Sequence, residues 1–349
     1  MDYRSLGPTG MMVSPLCLGA MMFGAWGEPD HDESTRIIHR ALDGGINVVD
    51  TADIYSRGES EEIVGKALEG RRDEVVLATK FHGPMDVDMG QTGNPLNRGN
   101  SRRWIVQEVE ASLRRLRTDW IDLYQVHRPE RETDVEETLA ALTDLQRQGK
   151  IRAFGCSTFP AADVVEAQWI SQRRGLGRFV TEQPPYSILA RGIEADLLPV
   201  TERYGMGVIP WSPLNGGWLT GRFRTGQDAP DNHRSRMRSS QYDLSLPANQ
   251  AKLEAAEALA VLAEETGVTL VHLALAFVMQ HPGVTAPIVG PRTMEQLETQ
   301  LAAADVVLTP DVLDRIDEIV APGRVVADDG NTYLTDALKD PFLRRRRTS

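Results

Sequence analysis

The 349-residue sequence has little cysteine, no long apolar run and no excess of positive charge. Its two cysteines, Cys17 and Cys156, both lie in apolar, strand-like stretches, which predicts a reducing, cytoplasmic setting without a disulfide framework. No segment approaches the ~18 consecutive apolar residues of a membrane-spanning helix, and the N-terminus has no signal-peptide pattern. A formal net charge of −12 argues against nucleic acid as a partner. The histidines show no paired ligand spacing, so we expect no metal site.

What the sequence does contain is one repeating unit, a short apolar run followed by an amphipathic helical run. The apolar runs are continuous, which indicates strands buried on both faces and hence a parallel sheet. Eight such units in one chain predict an α/β fold, the (β/α)8 TIM barrel, with a doubly wound open sheet as the alternative. Residues 251–280 are predicted as one long helical stretch. The predicted strands are residues 15–19, 46–50, 75–79, 121–126, 151–156, 179–182, 207–210 and 286–289.

No linker rich in proline or serine divides the chain, so we expect one domain over residues 1–349. Residues 1–13 are predicted to form an N-terminal β-hairpin that turns at Gly7-Pro8-Thr9-Gly10. Residues 221–248, which follow the seventh barrel strand, are predicted to form a long, lid-like loop. Residues 321–349 form a polar C-terminal tail, and its Arg344–Arg347 run is interpreted as a solvated basic segment.

Polar side chains stand where the predicted strands end. In a (β/α)8 barrel the carboxyl ends of the strands form the active-site face, so these side chains should converge. Taken singly, each has an ordinary structural explanation such as helix capping or solvation; together they indicate a site. The strand-end residues are Asp50, Tyr55, Lys80, His127, Ser157, Thr158, Gln183, Trp211, Ser212 and Arg292.

Four of these residues can act together in donating a proton: Tyr55 as the donor, with Lys80, Asp50 and His127 around it. A tyrosine hydroxyl has a pKa of about 10, and a nearby ammonium group such as that of Lys80 should lower it. Asp50 supplies the counter-charge that a partly buried lysine requires. His127 can orient a carbonyl oxygen or assist proton transfer. The set with Tyr55 contains no nucleophile, so a hydride must come from a nicotinamide cofactor.

The remaining strand-end residues suit that cofactor. Trp211 offers an aromatic face on which the nicotinamide ring can stack. Ser157 and Gln183 offer hydrogen bonds to its carboxamide group.

At these motifs the chain resembles the aldo-keto reductases, over residues 6–304. The matching motifs, in order, are GINVVDTADIYSRGESEEIVGKAL, DWIDLYQVHRP, GKIRAFGCST, EQPPYS, PWSPLNGGWLTGR and PIVGPRTMEQL. The resemblance implies a (β/α)8 barrel that reduces aldehydes and ketones with NADPH. It also implies a catalytic tetrad of Asp50, Tyr55, Lys80 and His127, with Tyr55 as the proton donor.

The resemblance places the cofactor contacts along the barrel mouth. Arg292 could pair with a 2′-phosphate, which favours NADPH, while NADH stays open as an alternative because Thr299-Gln300 replaces a Glu-Asn pair common in the family. The predicted cofactor contacts are Gly19, Ala20, Met21, Asp50, Ser157, Thr158, Gln183, Trp211, Ser212, Pro213, Leu214, Gly216, Leu219, Gly221, Arg222, Gly290, Arg292, Gln296 and Gln300.

The substrate is less constrained than the chemistry. An apolar or aromatic carbonyl compound suits the candidate pocket, whose residues could equally serve ordinary loop packing. The chain also resembles the β-subunits of voltage-gated potassium channels, which act as binding partners, so a cofactor-binding auxiliary subunit is the alternative function. The natural carbonyl substrate and the oligomeric state stay open. The candidate substrate contacts are Met22, Phe23, Trp26, Ile54, His82, Arg128 and Trp218.

Overall fold

Ten strands organise the protein, which is represented by a computed structural model that describes residues 1–87, 93–226 and 239–327. Two of them, β1 and β2, form a separate antiparallel ribbon, and the other eight form one parallel sheet. The strands are β1 (Arg4–Ser5), β2 (Met12–Val13), β3 (Cys17–Gly19), β4 (Val48–Asp50), β5 (Val76–Phe81), β6 (Ile121–Val126), β7 (Ile151–Ser157), β8 (Thr181–Gln183), β9 (Gly207–Val208) and β10 (Ile288–Val289).

The parallel sheet closes on itself. Strands β3 to β9 pair in chain order, and β10 pairs with β3. The remaining gap, between β9 and β10, is bridged by two backbone hydrogen bonds. The amide of Thr285 donates to the carbonyl of Val208 at 2.8 Å, and the amide of Ile288 donates to the carbonyl of Pro210 at 2.8 Å. The predicted (β/α)8 barrel is therefore confirmed, and the open-sheet alternative is wrong because both edges are bonded to each other.

Helices lie between the strands, and several begin at a capping side chain that the sequence supplies. Asp30, for example, accepts the amide of Asp32 at 2.9 Å, and Ser101 caps the helix that carries Arg115. The helices are α1 (His31–Asp43), α2 (Glu59–Ala67), α3 (Arg102–Leu116), α4 (Val135–Arg147), α5 (Ala161–Arg174), α6 (Leu197–Arg203), α7 (Pro247–Thr266), α8 (Leu270–Gln280), α9 (Met294–Ala302) and α10 (Pro310–Ile319).

The prediction of a single helical stretch over residues 251–280 is wrong. The structure has two helices there, α7 and α8, bent by 94° relative to each other. Gly267 ends α7 in the left-handed conformation (φ 74°), and the Thr269 hydroxyl caps α8 by accepting the amide of His272 at 3.2 Å. Within the described ranges no single helix has both the length and the apolar content of a membrane span; only this bent pair, taken together, meets that criterion.

The N-terminal hairpin closes the lower end of the barrel. β1 pairs with β2 as predicted, and Leu6 and Val13 beside it are fully buried. Gly7 fits against the starts of two strands, since a Cβ there would lie 2.6 Å from the carbonyl oxygen of Val180. Leu6 and Val13 pack against an apolar layer inside the barrel, formed by Cys17, Val48, Ala78, Leu123, Ala153, Ile209 and Ala286. The polar strand ends therefore lie at the opposite, open end.

The predicted lid-like loop over residues 221–248 is described only in part. Residues 227–238, with Arg234 among them, lie outside the described residues, as do residues 88–92 and 328–349. At its far end the loop is shorter than predicted, because α7 already begins at Pro247. Tyr242 anchors the described portion by donating its hydroxyl to the carbonyl of Gly216 at 2.9 Å.

Candidate active site

Lys80 is the centre of the candidate site. It lies near the end of β5, fully buried, and its Nζ donates to Asp50 Oδ2 at 2.6 Å. The same ammonium donates to the carbonyl of Thr51 at 2.7 Å and lies 3.3 Å from Tyr55 Oη. Burial alone would lower the pKa of Lys80, but Asp50 and Tyr55 outweigh that effect and raise it. The lysine is therefore charged, paired and in contact with the tyrosine hydroxyl.

Two amide side chains hold the other oxygen of Asp50. Gln183 Nε2 donates to Asp50 Oδ1 at 2.8 Å, and Gln125 Nε2 donates at 3.2 Å. Gln183 was predicted as a cofactor contact, and the structure places its amide nitrogen against the tetrad. Gln125 was not predicted. It stands two residues before His127, on the same face of β6, and that alternation was the available signal.

Tyr55 lies at the start of a strained turn. The next three residues, Ser56, Arg57 and Gly58, are all left-handed, with φ of 47°, 58° and 93°. Burial raises the pKa of Tyr55 above its usual 10, while Lys80 acts in the opposite direction. The net shift is thus opposite to the lowering expected from the lysine alone. Tyr55 consequently carries its proton at neutral pH.

His127 faces the tyrosine from the end of β6. The two ring centres are 5.8 Å apart, and the planes are nearly perpendicular at 83°. Burial lowers the pKa of His127 well below 6.5, and the positive charges of Arg128 and Lys80 act in the same direction. The imidazole is therefore neutral at pH 7. It can donate or accept one hydrogen bond but contributes no charge.

Beside this tetrad, β7 and β8 carry the residues predicted to face the nicotinamide. The hydroxyl of Ser157 donates to the carbonyl of Gln183 at 2.8 Å. Thr158 is left-handed (φ 61°), and Arg128 Nη1 donates to its hydroxyl at 2.7 Å. The Arg128 guanidinium lies 5.8 Å from the ring centre of Trp211.

The segment after β9 contains several residues in the left-handed backbone region. Ser212, Asn215, Gly216, Gly217 and Gly221 all have positive φ, between 48° and 107°. Successive residues of this kind turn amide groups toward a common concave surface that suits phosphate. Asn215 was not predicted, although an asparagine before two glycines is a recognisable left-handed signal. Beneath the segment, the predicted contacts Pro213 and Leu219 are buried.

Predicted cofactor contacts also follow β3 and β10, which are neighbours in the sheet. β10 pairs with β3, and a Cβ on Gly290 would lie 3.7 Å from the carbonyl oxygen of Gly19. The next residue, Ala20, donates its amide to the carbonyl of Asp50 at 2.8 Å. Gln296 Oε1 accepts the amide of Arg292 at 3.0 Å. Of the predicted pyrophosphate contacts, Leu214 is partly exposed and Arg222 is exposed, and the predicted cofactor contact Met21 is partly exposed.

Two predicted cofactor contacts carry buried polar atoms without a hydrogen-bond partner among the described residues. Trp211 Nε1 and Gln300 Oε1 are buried and have no hydrogen-bond partner among the described residues. One lies at the predicted ring position and the other at the predicted adenine position. Buried polar atoms are normally paired, so both suit a polar ligand. Among the described residues, no group of three or more histidine, cysteine or acidic side chains is arranged to hold a metal ion.

The structure separates the predicted substrate residues into two groups. Trp26 lies next to Tyr55, with ring centres 6.2 Å apart, and Ile54 and Met22 are buried near the same turn. His82 stands just after β5 and shares a 2.9 Å hydrogen bond with Asn100, across Nδ1 and Oδ1. These side chains, with Arg128, surround the tetrad.

Phe23 and Trp218 are almost fully buried in apolar clusters. Phe23 is fully buried in the main apolar core. Trp218 stacks on Phe223 with ring centres 4.1 Å apart and lies parallel to Tyr242 at 6.1 Å. Their large apolar surfaces are used in packing, which is the ordinary alternative that the sequence left open.

A second polar cluster, which was not predicted, lies near the turn formed by residues 55–58. Arg115 Nε donates to Glu61 Oε2 at 2.6 Å, and its Nη2 pairs with Glu108. Asp53 is fully buried nearby, with Oδ1 accepting the amide of Ile54 at 2.7 Å. Burial, together with Glu108 and Glu61, raises the pKa of Asp53 well above its ordinary value. Arg115 therefore pairs with two buried acids, Glu61 and Glu108, and its charge also acts on Asp53.

Comparison with known proteins agrees with this fold. The model of the aldo/keto reductase family matches residues 15–321. "Uncharacterized oxidoreductase YrpG" of Bacillus subtilis is 39% identical over 328 residues, which cover 91% of this chain and 96% of that protein. "Aldo-keto reductase YhdN" of the same organism is 36% identical, covering 85% and 87%. A "Probable voltage-gated potassium channel subunit beta" of Arabidopsis thaliana is 34% identical, covering 92% and 97%.

The barrel and its strand-end tetrad define an NAD(P)H-dependent oxidoreductase. The chain belongs to the aldo/keto reductase family.

Proposed function

We propose that the protein reduces aldehydes and ketones to alcohols with NADPH and that Tyr55 donates the proton. The observation that supports this most directly is the chain of contacts from Asp50 through Lys80 to Tyr55, at 2.6 Å and 3.3 Å, at the open end of the barrel. The bound cofactor would supply a hydride to the carbonyl carbon. The carbonyl oxygen then takes the proton of Tyr55, and the alcohol leaves.

The residues around Tyr55 favour this proton transfer. Loss of the proton leaves a phenolate, which the adjacent Lys80 ammonium stabilises by charge. Gln125 and Gln183 fix Asp50, and Asp50 in turn fixes the ammonium. The neutral imidazole of His127 can hydrogen-bond the carbonyl oxygen and orient it.

Tyr55→Phe tests the proposed proton donor. Turnover of aromatic aldehydes such as 4-nitrobenzaldehyde, followed by NADPH oxidation, should fall by about 10²–10⁴-fold, the usual worth of a general acid. The Kd for NADPH should stay unchanged. The fold should survive because the Lys80 ammonium keeps its bonds to Asp50 and Thr51.

Tyr124→Phe is the matched control. Tyr124 is a buried tyrosine of β6 whose hydroxyl has no hydrogen-bond partner among the described residues, so its loss should not change turnover. Full activity in Tyr55→Phe would refute the assignment of Tyr55.

Arg292 is proposed to select NADPH over NADH through the 2′-phosphate. A charge-assisted hydrogen bond contributes about 1.5–3 kcal/mol, so Arg292→Ala should weaken NADPH binding by roughly 10–100-fold. NADH binding should change little, because NADH lacks that phosphate. Equal losses for both cofactors, measured by fluorescence titration, would contradict this role.

An auxiliary subunit is the second candidate function. This candidate is supported by two relatives that are named as probable voltage-gated potassium channel β-subunits, each 34% identical over 92% of this chain. It predicts tight NADPH binding with negligible turnover on every aldehyde and ketone tested. Steady-state turnover by the wild-type protein distinguishes the two functions.

A further inference from the structure

Glu182 is a buried acid directly behind the predicted nicotinamide site. It is the middle residue of β8 and is fully buried. In the pairing of β7 with β8, Cys156 lies opposite Glu182 and Ser157 opposite Gln183. Because side chains alternate along a strand, Gln183 points to Asp50 inside the barrel while Glu182 points to the outer, helix-covered face. Nothing in the proposed reaction uses this carboxyl group.

The carboxyl group of Glu182 is hydrogen-bonded to the backbone through Oε1. Its Oε1 accepts the amide of Phe159 at 3.1 Å. Its Oε2 is buried and has no hydrogen-bond partner among the described residues. Burying a carboxylate costs free energy unless it is hydrogen-bonded or paired. Here the bond from Oε1 leads to the loop after β7.

That loop holds an unfavourable conformation. Thr158, the residue between Ser157 and Phe159, has φ 61°, which β-branched residues rarely adopt. On its N-terminal side the Thr158 amide donates to the carbonyl of Gln183 at 3.2 Å. On its C-terminal side the next amide is held by Glu182. We name residues 157–159 the cofactor turn, since Ser157 and Thr158 are predicted to face the nicotinamide.

We propose that Glu182 is a positioning residue for cofactor binding, whose carboxylate anchors the cofactor turn through the amide of Phe159 and holds it more firmly when ionised. The proposal rests on the proposed function, because it takes the turn to be part of a nicotinamide site. An ionised carboxylate is a stronger hydrogen-bond acceptor than a protonated one. Cofactor affinity should therefore follow the ionisation of Glu182.

The charges around Glu182 place this ionisation near neutrality. Burial raises its pKa to about 7, against the opposing effects of the Cys156 thiol, the amides of Phe159 and Thr158, and the Arg128 charge. Cys156 faces it from β7, and its thiol stays protonated because burial raises its pKa as well. The charge of Asp163 on α5 also raises the pKa of Cys156. The Kd for cofactor should thus decrease as the pH rises through about 7.

Two variants separate the hydrogen bond from the charge. Glu182→Gln keeps an oxygen acceptor for Phe159 and cannot ionise. Glu182→Leu removes both. The Kd of NADH, which lacks the titrating 2′-phosphate, is measured by fluorescence titration between pH 5.5 and 8.5, with NADPH in parallel. Glu108→Gln controls for the removal of a buried acid that does not contact the cofactor turn.

We expect the wild-type Kd to fall by about fivefold across this range, the usual difference between charged and neutral hydrogen bonds. Glu182→Gln should show no such step. Glu182→Leu should also have a flat profile and bind more weakly than wild type at every pH, by about tenfold at pH 8.5, where the wild-type carboxylate is ionised. Superimposable profiles for wild type and Glu182→Gln would overturn the proposal. So would an unchanged Kd in Glu182→Leu, since the residue would then serve stability alone. A wild-type protein that bound neither NADH nor NADPH would instead refute the proposed function, and the inference with it.

Thermal unfolding without cofactor gives an independent readout. The pKa of Glu182 rises from its ordinary 4.5 to about 7 on folding. Between these values the folded state keeps a proton that the unfolded state has lost, so stability falls as the pH increases. Glu182→Gln has no ionisable group at this position and does not lose stability in this way. The Tm of the variant should therefore increase relative to that of wild type as the pH rises from 5 to 7.5. A constant difference in Tm would contradict the proposed ionisation.

Discussion

Lys80→Met is expected to reduce carbonyl turnover by about 10²–10⁴-fold and to lower the free energy of unfolding by about 3–5 kcal/mol. Turnover falls because the phenolate formed at Tyr55 loses the ammonium 3.3 Å away. Stability falls because the carboxylate of Asp50, which is only 3% exposed, loses its counter-charge. Methionine has a similar length, so the loss of charge rather than of volume dominates. NADPH oxidation and urea unfolding measure the two effects.

The double variant Asp50→Asn/Lys80→Met separates chemistry from stability. It removes both buried charges and leaves an amide that Gln125 and Gln183 can still approach. Part of the lost stability should return, because no unpaired charge is left in the barrel. Turnover should not return. Activity restored in the double variant would mean that Lys80 only neutralises Asp50 and does not assist Tyr55.

Lys66→Met on α2 is the matched control for a lysine ion pair. Lys66 pairs with Asp32 at 3.2 Å, but its side chain is 49% exposed. An exposed pair of this kind contributes about 0–1 kcal/mol, so both turnover and stability should stay close to wild type. The contrast between Lys80 and Lys66 then reflects burial rather than the residue type.

The sequence was most informative where function depends on strand ends. Asp50, Lys80 and His127 each follow a recognisable buried strand, and the rule that parallel strands of a barrel end on one face brings them together. Gly267 and Thr269 are recognisable signals for the end of α7 and the start of α8. The prediction still missed the 94° bend, because the apolar pattern continues on both sides of these residues. Local signals were present there, but the longer periodicity dominated the prediction.

Buried charge was not predictable, because burial is a tertiary property. Glu61 stands in the first turn of α2, where acids usually lie exposed and favour the helix dipole, but the structure buries it fully. Arg115 and Glu108 lie on α3 among other charges and read as a solvated helix face. Only the packing of α2 against α3 brings these groups together. The raised pKa of Tyr55 has the same origin, since burial outweighs the effect of its lysine.

Arg115→Met is expected to lower the free energy of unfolding by about 3–5 kcal/mol. Arg115 is the cation paired with Glu61 and Glu108, and Asp53 lies within reach of both acids. Methionine fills part of the space and leaves the carboxyl groups uncompensated. Chemical unfolding followed by circular dichroism, with Arg103→Met as an exposed control on α3, measures the loss.

The pH dependence of Arg115→Met distinguishes charge from packing. Burial raises the pKa of both Asp53 and Glu108, so in the folded state these groups keep protons that the unfolded state loses. Wild-type stability therefore falls as the pH rises from the unfolded-state pKa values of Asp53 and Glu108 toward their higher folded-state values. Removing Arg115 raises both pKa values further, so the difference between wild type and variant should be smallest near pH 5 and grow toward pH 8. A difference that did not change with pH would show that the arginine acts through its packing against Gly58, where a Cβ would lie 2.6 Å from its Cδ, rather than through its charge.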